Sequence, residues 1–309
     1  MEKVINEEAM KLAKINKMPV LAIINADRNE RIDEVFRSEH IMMIRNLLSK
    51  CNSERLGLLI HTFGGEVNIS AQIAYMLQSL SKKLKGFVPK SAYSGGTLIA
   101  LACDQIVMND CANLGPLDAQ YKIYSKEKFN SSLAVFTGLD ELRKFTIGTL
   151  KEVLPDIRTI TDDRLVIQDE LKAASDFATG LTSALVNSLS TEYIGSRQRK
   201  LRLVGDHMER ILANNPEFQN EENQGPDMDR IRRVINTLVY SFNDHGFIIT
   251  RDEAVAIGLP IYCQSKKEQK ILDIISHSIL HLNSNIVRLV DPARKKIIRF
   301  RDIDPSESE

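Results

Sequence analysis

Tryptophan is absent from this chain, and aromatic residues of all kinds make up only 6% of it. Flat platforms for stacking bases are correspondingly few. Neither sign of charge prevails, because 41 Lys and Arg stand against 41 Asp and Glu. That balance favours neither a nucleic-acid partner nor an anionic membrane surface. Cysteine is sparse. Cys51, Cys103, Cys111 and Cys263 form no Cys-x-x-Cys pair, and Cys103 lies in an apolar run. A reducing, cytoplasmic setting with cysteines in packing roles is the expectation. The N-terminal residues lack the charged, apolar and small-residue sections of a signal peptide. No apolar run reaches bilayer length, so no membrane span is expected. There is no His-Glu-x-x-His, no cysteine cluster and no P-loop, so neither a metal nor a nucleotide cofactor is implied.

What is present is a doubled glycine turn. The apolar run Leu56-Gly57-Leu58-Leu59-Ile60 leads to His61-Thr62-Phe63-Gly64-Gly65, and Gly86-Phe87-Val88-Pro89 leads to Ala92-Tyr93-Ser94-Gly95-Gly96-Thr97. A helical pattern follows each, so the chain reads twice as strand, glycine turn, helix. Residues 66–82 place Val67, Ile69, Ile73, Ala74, Leu77 and Leu80 in helical spacing. The helix from Gly95 is apolar nearly all round, the pattern of a buried helix. Repeated strand–helix alternation predicts an α/β domain with parallel strands. Glycines in such turns free backbone N–H groups to face a ligand. A serine on one turn facing anion-stabilising donors on the other is the layout that acyl transfer needs.

The stretch from Leu56 to Gln120 resembles the serine dehydrogenase proteinase family of Clp-fold serine peptidases, relatives of signal peptide peptidase A. The resemblance rests on His61 to Gly65, Val88-Pro89, Ser94 to Ala102, Asp104-Gln105-Ile106-Val107-Met108 and Leu114-Gly115-Pro116-Leu117-Asp118-Ala119-Gln120. His245-Gly246-Phe247-Ile248, Glu253-Ala254 and Gly258-Leu259-Pro260 are similar to the family's C-terminal segment, and Arg31-Ile32-Asp33 matches its early part more loosely. Phe63 departs from the family's proline, and residues 121–162 align poorly. The resemblance implies a Clp/crotonase-type superhelical domain, a homo-oligomer, and protein or peptide substrates cleaved through a Ser-Lys dyad and a backbone oxyanion hole.

Carried onto this chain, the resemblance makes Ser94 the nucleophile, Lys172 the base, and Gly65 and Gly95 the oxyanion donors. No histidine stands between Gly95 and Asp206, which also points to a lysine base. Lys172 lies in Leu171-Lys172-Ala173, similar to a lysine-alanine pair early in the family's long helix; read alone, it is a solvated helical lysine. His245 is the runner-up base, and Lys126, Lys128 and Lys144 remain open. His61 is expected to bond its loop, Asp118 to stabilise a turn, and Arg197–Arg202 to form a solvated basic face. Two alternatives stand beside the peptidase: a non-catalytic scaffold on the same fold, and a crotonase-like acyl-CoA enzyme.

The chain is expected to divide into a peptidase domain over 1–262 and a C-terminal extension over 263–309. Residues 1–17 read as a surface helix, Pro19–Asn25 as a buried strand, Ala26–Glu34 as a loop and Val35–Ser49 as a helix. Asp163–Leu189 reads as a helix with Leu171, Ala174, Ala178, Leu181 and Leu185 on one face. Residues 215–229 read as a loop and Arg230–Phe242 as a helix. In the extension, Lys266–Leu282 is helical in pattern, and 286–289 and 297–300 are expected to pair as a hairpin around Asp291-Pro292, ahead of a disordered tail from Asp304. Ile271, Ile274, Ile275, Ile279 and Leu280 need burial on their own domain or on a neighbouring copy, with equal weight on each.

Overall fold

The computed structural model describes residues 1–26, 38–51, 53–117, 120–122, 129–162, 164, 166–187, 190–220, 225–242, 244 and 246–299. His245, Asp118, Lys126, Lys128, the loop from Asp27 and the tail beyond Arg299 lie outside the described residues. The elements run α1 (Glu2–Asn16), β1 (Val20–Asn25), α2 (Ser38–Ser49), β2 (Arg55–His61), α3 (Val67–Leu80), β3 (Lys83–Val88), β4 (Ser91–Ala92), α4 (Gly95–Ala100), β5 (Gln105–Met108) and β6 (Asn113–Leu114). Next come β7 (Gln120–Lys122), β8 (Phe129–Ser131), α5 (Leu133–Thr161), α6 (Ile167–Asn187) and α7 (Thr191–Ala213). The chain continues with β9 (Gln219–Asn220), β10 (Gly225–Pro226), α8 (Met228–Tyr240), α9 (Arg251–Ile257), α10 (Lys266–Leu280), β11 (Asn285–Asp291) and β12 (Lys296–Arg299).

The chain forms two compact units, one of residues 1–118 with 204–309, the other of residues 119–203. The first is built on a six-stranded sheet in the order β12-β11-β1-β2-β3-β5. Strands β1, β2, β3 and β5 run parallel, as helical crossovers require, while β11 pairs antiparallel with β1. Every residue of β1 is buried, because both faces of the sheet are covered. Its Val20, Ala22 and Ile24 pack with Ile5, Leu12 and Ala13 of α1 and Ile271, Leu272, Ile275 and Ile279 of α10. Helix α4 is buried along its whole length, as its all-round apolar pattern predicts.

Two expectations change here. The predicted division at residue 262 is not where the structure divides, because β11 inserts beside β1 and α10 packs on α1. The hairpin of β11 and β12 does form, but as part of the main sheet. Helix α1 is likewise not a purely surface helix, since Ile5, Ala9, Leu12 and Ala13 are buried. Ile271, Ile275 and Ile279 of α10 are therefore buried within their own chain, while Ile274 and Leu280 are 42% and 43% exposed.

The second unit contains the helical hairpin of α5 and α6. Residues 133–161, unassigned by sequence pattern, form one helix with Pro155 inside it. Among the described side chains of α6 the buried ones are Glu170, Ala174, Ala178 and Thr182, spaced four apart. Leu171 and Leu181, expected to share one face with Ala174 and Ala178, are about half exposed at 51% and 50%. The small side chains Ala174 and Ala178 form the contacting stripe instead, and the Arg158 guanidinium pairs with the buried Glu170 carboxylate at 2.8 Å.

Candidate active site

Strand β2 ends at His61 and β4 begins at Ser91, and the residues after them run side by side. The Thr62 N–H donates to the Ser91 carbonyl at 3.0 Å, and the Tyr93 N–H donates to the Thr62 carbonyl at 3.0 Å. Thr62 and Ala92 thus form a parallel bridge. Beyond this bridge each strand makes its glycine turn, so the two turns meet. Gly64 has φ 119°, a left-handed value that glycine adopts without a Cβ penalty. A β-carbon there would stand 3.1 Å from the Ser94 Cβ. The Thr62 hydroxyl accepts from the Gly64 N–H at 3.2 Å and fixes the turn.

Ser94 has φ 47° and ψ −114°, a conformation sparsely populated by residues with a side chain. This sharp turn leads directly into α4. The buried Thr97 hydroxyl holds it from behind: it lies 2.7 Å from the Ala92 carbonyl and 2.8 Å from the Gly115 carbonyl, and accepts from the Gly115 N–H at 3.1 Å. Ser94 itself is half-buried, and among the described residues its hydroxyl has no side-chain partner.

Gly65 and Gly95 close the arrangement. The position of a β-carbon on Gly95 lies 3.3 Å from the Gly65 nitrogen and 2.3 Å from the Ser70 Oγ. Among the described residues neither the Gly65 nor the Gly95 N–H donates to a protein acceptor, whereas the next N–H, that of Gly96, donates to the Tyr93 carbonyl at 2.8 Å. Two free donors beside a strained serine are what a developing oxyanion requires.

His61 is buried and bonds through Nδ1 to the Ser91 carbonyl at 3.0 Å, the loop-bonding role expected of it. Burial lowers its pKa to about 4, with the neighbouring Lys90 charge acting in the same direction and the Ser91 bond against it. The ring is neutral near pH 7. Its edge meets Phe63, with centroids 5.4 Å apart, and Phe63 tilts against Tyr93 at 6.4 Å. Aromatic rings therefore precede both glycine turns.

The first unit brings Ser94, Gly65 and Gly95 together. Lys172 lies in the second unit, solvent-exposed on α6. Lys144 is also exposed, and its ammonium lies 2.9 Å from Asp140 and 2.7 Å from Glu141. Those hydrogen bonds, Asp140 foremost, raise its pKa, the opposite of what a base needs. Sequence reasoning passed over Thr62, Ser70 and Thr97. Ser70 carried a signal, a hydroxyl on the otherwise apolar buried side of α3 made by Ala71, Ile73, Ala74 and Leu77. Among the described residues no group of three or more His, Cys, Asp and Glu side chains is arranged to hold a metal ion. No helix among them is long and apolar enough to cross a membrane.

Residues 17–165 match the family described as ClpP-like SDH-type serine proteinase, and the α/β fold agrees with that description. Two uncharacterized proteins of Methanocaldococcus jannaschii are similar to the chain. One is 36% identical over 107 residues, covering 35% of this chain and 34% of the relative. The other is 45% identical over 69 residues, covering 22% and 24%. The chain thus spans about a third or less of the length of these curated relatives. A solved membrane-bound stomatin-specific protease, 1510-N, aligns with 17% identity and a TM-score of 0.29, covering 36% of this chain and 56% of that one.

Proposed function

We propose that this chain, whose residues 17–165 carry the ClpP-like SDH-type serine proteinase match, hydrolyses peptide bonds with Ser94 as its nucleophile. The observation that carries the reading is the meeting of the two turns: a serine at φ 47° beside two N–H groups without acceptors among the described residues. A scaffold has no use for either feature. The Ser94 Oγ attacks the substrate carbonyl while the base takes its proton. The Gly65 and Gly95 N–H groups bind the tetrahedral oxyanion; in serine peptidases one such donor is worth about 10²–10³ in kcat. Collapse then passes the proton to the leaving amine and leaves an ester on Ser94, which water, activated by the same base, hydrolyses.

Lys172 is the base in this reading. A lysine acts so only when neutral, and burial or a nearby cation lowers its pKa toward that state. Lys172 is exposed in the single chain, so a covering surface is required, and we assign it to a second copy. The α5–α6 hairpin offers apolar surface for such a contact: Ile160, Val166 and Ile167 are 82%, 69% and 71% exposed. Helix α10 uses Ile271, Ile275 and Ile279 internally and leaves Ile274 and Leu280 partly exposed. The test is labelling by a fluorophosphonate probe. The wild type should label and Ser94→Ala should not, while equal labelling would reject the peptidase. Light scattering at micromolar concentration should find an oligomer, and a monomer would reject the assembly.

A further inference from the structure

Behind the two free N–H groups sits a hydroxyl with nothing to do. Ser70 is 0% exposed, and among the described residues its Oγ has no hydrogen-bond partner. Its backbone N–H is engaged, donating to the Glu66 carbonyl at 2.9 Å, as befits the first turn of α3. A buried, unpaired hydroxyl destabilises a fold, and an apolar side chain of the same size avoids that cost. Alanine would continue the pattern of Ala71 and Ala74 on this helix. The hydroxyl is also in contact with the site. A β-carbon on Gly95 would lie 2.3 Å from the Ser70 Oγ and 3.2 Å from its Cβ, while standing only 3.3 Å from the Gly65 nitrogen. The Ser70 Oγ therefore fills the space that a side chain on Gly95 would need, beside the Gly65 nitrogen. Helix α3 starts two residues after Gly65, so the turn that holds the first donor leads directly into the rigid element that carries Ser70.

Resting on the peptidase reading, we propose that Ser70 is a positioning residue of the oxyanion site. Its Oγ fixes the spacing of the Gly65 and Gly95 N–H groups. Its O–H dipole, unmatched in the resting protein, is met by the negative charge that develops between them. An unsatisfied buried group at a functional site is accounted for in this way, because its partner exists only during the reaction.

The experiment compares wild type, Ser70→Ala and Ser70→Cys in fluorophosphonate labelling rate, in kcat and KM on a peptide substrate, and in Tm. Ser70→Ala keeps the Cβ and removes only the oxygen. The expected result is a fall of about tenfold in labelling rate and kcat, with KM and Tm unchanged or Tm raised. Ser70→Cys, with a larger atom and a weaker donor, should fall between the two. A labelling rate in Ser70→Ala equal to wild type overturns the assignment. So does a loss of rate in both variants that tracks a lowered Tm, because ordinary packing then explains it. Wild type that fails to label at Ser94 overturns the peptidase reading itself, and with it the role given to Ser70. Wild type that labels while Ser70→Ala labels equally overturns only Ser70.

Discussion

Gly64 and Ser94 are thirty residues apart in sequence, yet a β-carbon on Gly64 would lie 3.1 Å from that of Ser94. Both residues have positive φ, but only Gly64 adopts it without a side-chain penalty. Ser94 carries strain that a glycine would not. Ser94→Gly should therefore raise stability by about 1 kcal/mol while abolishing fluorophosphonate labelling. Thermal melting together with labelling checks this. A lowered Tm would show that the Ser94 side chain supports its turn, contrary to the strain inferred from its backbone.

His61 makes a second prediction, in acid. Its folded pKa of about 4 lies below the ordinary 6.5, so protonation favours the unfolded chain. The stability it supports is whole above pH 6.5 and is lost as pH falls toward 4, by on the order of 3 kcal/mol in total. His61→Gln keeps an N–H for the Ser91 carbonyl but does not titrate. Its Tm should fall less between pH 7.5 and 4.5 than that of the wild type. Parallel Tm curves for the two proteins would reject this role.

The choice of base separates two exposed lysines. Lys172→Ala should lose hydrolysis while its circular dichroism stays native. Lys144→Ala should remain near wild-type rate, because Asp140 and Glu141 hold the Lys144 proton. His245→Ala should keep a substantial part of the activity. The wild-type rate should rise with pH until the base is deprotonated. Full activity in Lys172→Ala would remove it from the mechanism.

Lys85 on β3 reaches Glu268 on α10 at 2.7 Å and Asn16 at the end of α1 at 2.9 Å, joining three elements. Burial pushes the Glu268 carboxyl up, but hydrogen bonds from Lys85 and Ser265 outweigh it and hold the pKa below 4.5. That contribution is present above pH 4.5 and is lost as pH falls through the lowered value. Lys85→Met leaves Glu268 buried without its cation and should cost about 2 kcal/mol in urea unfolding at pH 7. A change under 0.5 kcal/mol, the usual range for a surface substitution, would show that the contact contributes little.

Much of this molecule was legible along the chain. Strands β1, β2 and β5, helices α3, α8 and α10, and the β11–β12 hairpin follow from apolar runs, helical spacing and turn residues, which are local properties. Residues 133–161 were not legible, since a long helix exposing Phe145, Ile147 and Ile160 has no clean apolar stripe. Of the face expected on α6, Ala174 and Ala178 are buried while Leu171 and Leu181 are half exposed. Close approach of α5 favours the small residues instead.

By itself the sequence determined that a serine and two glycine turns stand at the ends of successive strands. Glycine and serine conformations depend on neighbouring atoms in the chain. Only the tertiary structure decided that the turns touch, because that depends on the Thr62–Ala92 bridge between residues thirty positions apart. It alone placed β11 antiparallel beside β1, turning an expected appendage into a strand of the main sheet. It alone buried the Ser70 hydroxyl behind Gly95, since the partners of a side chain are set by packing rather than by sequence neighbours.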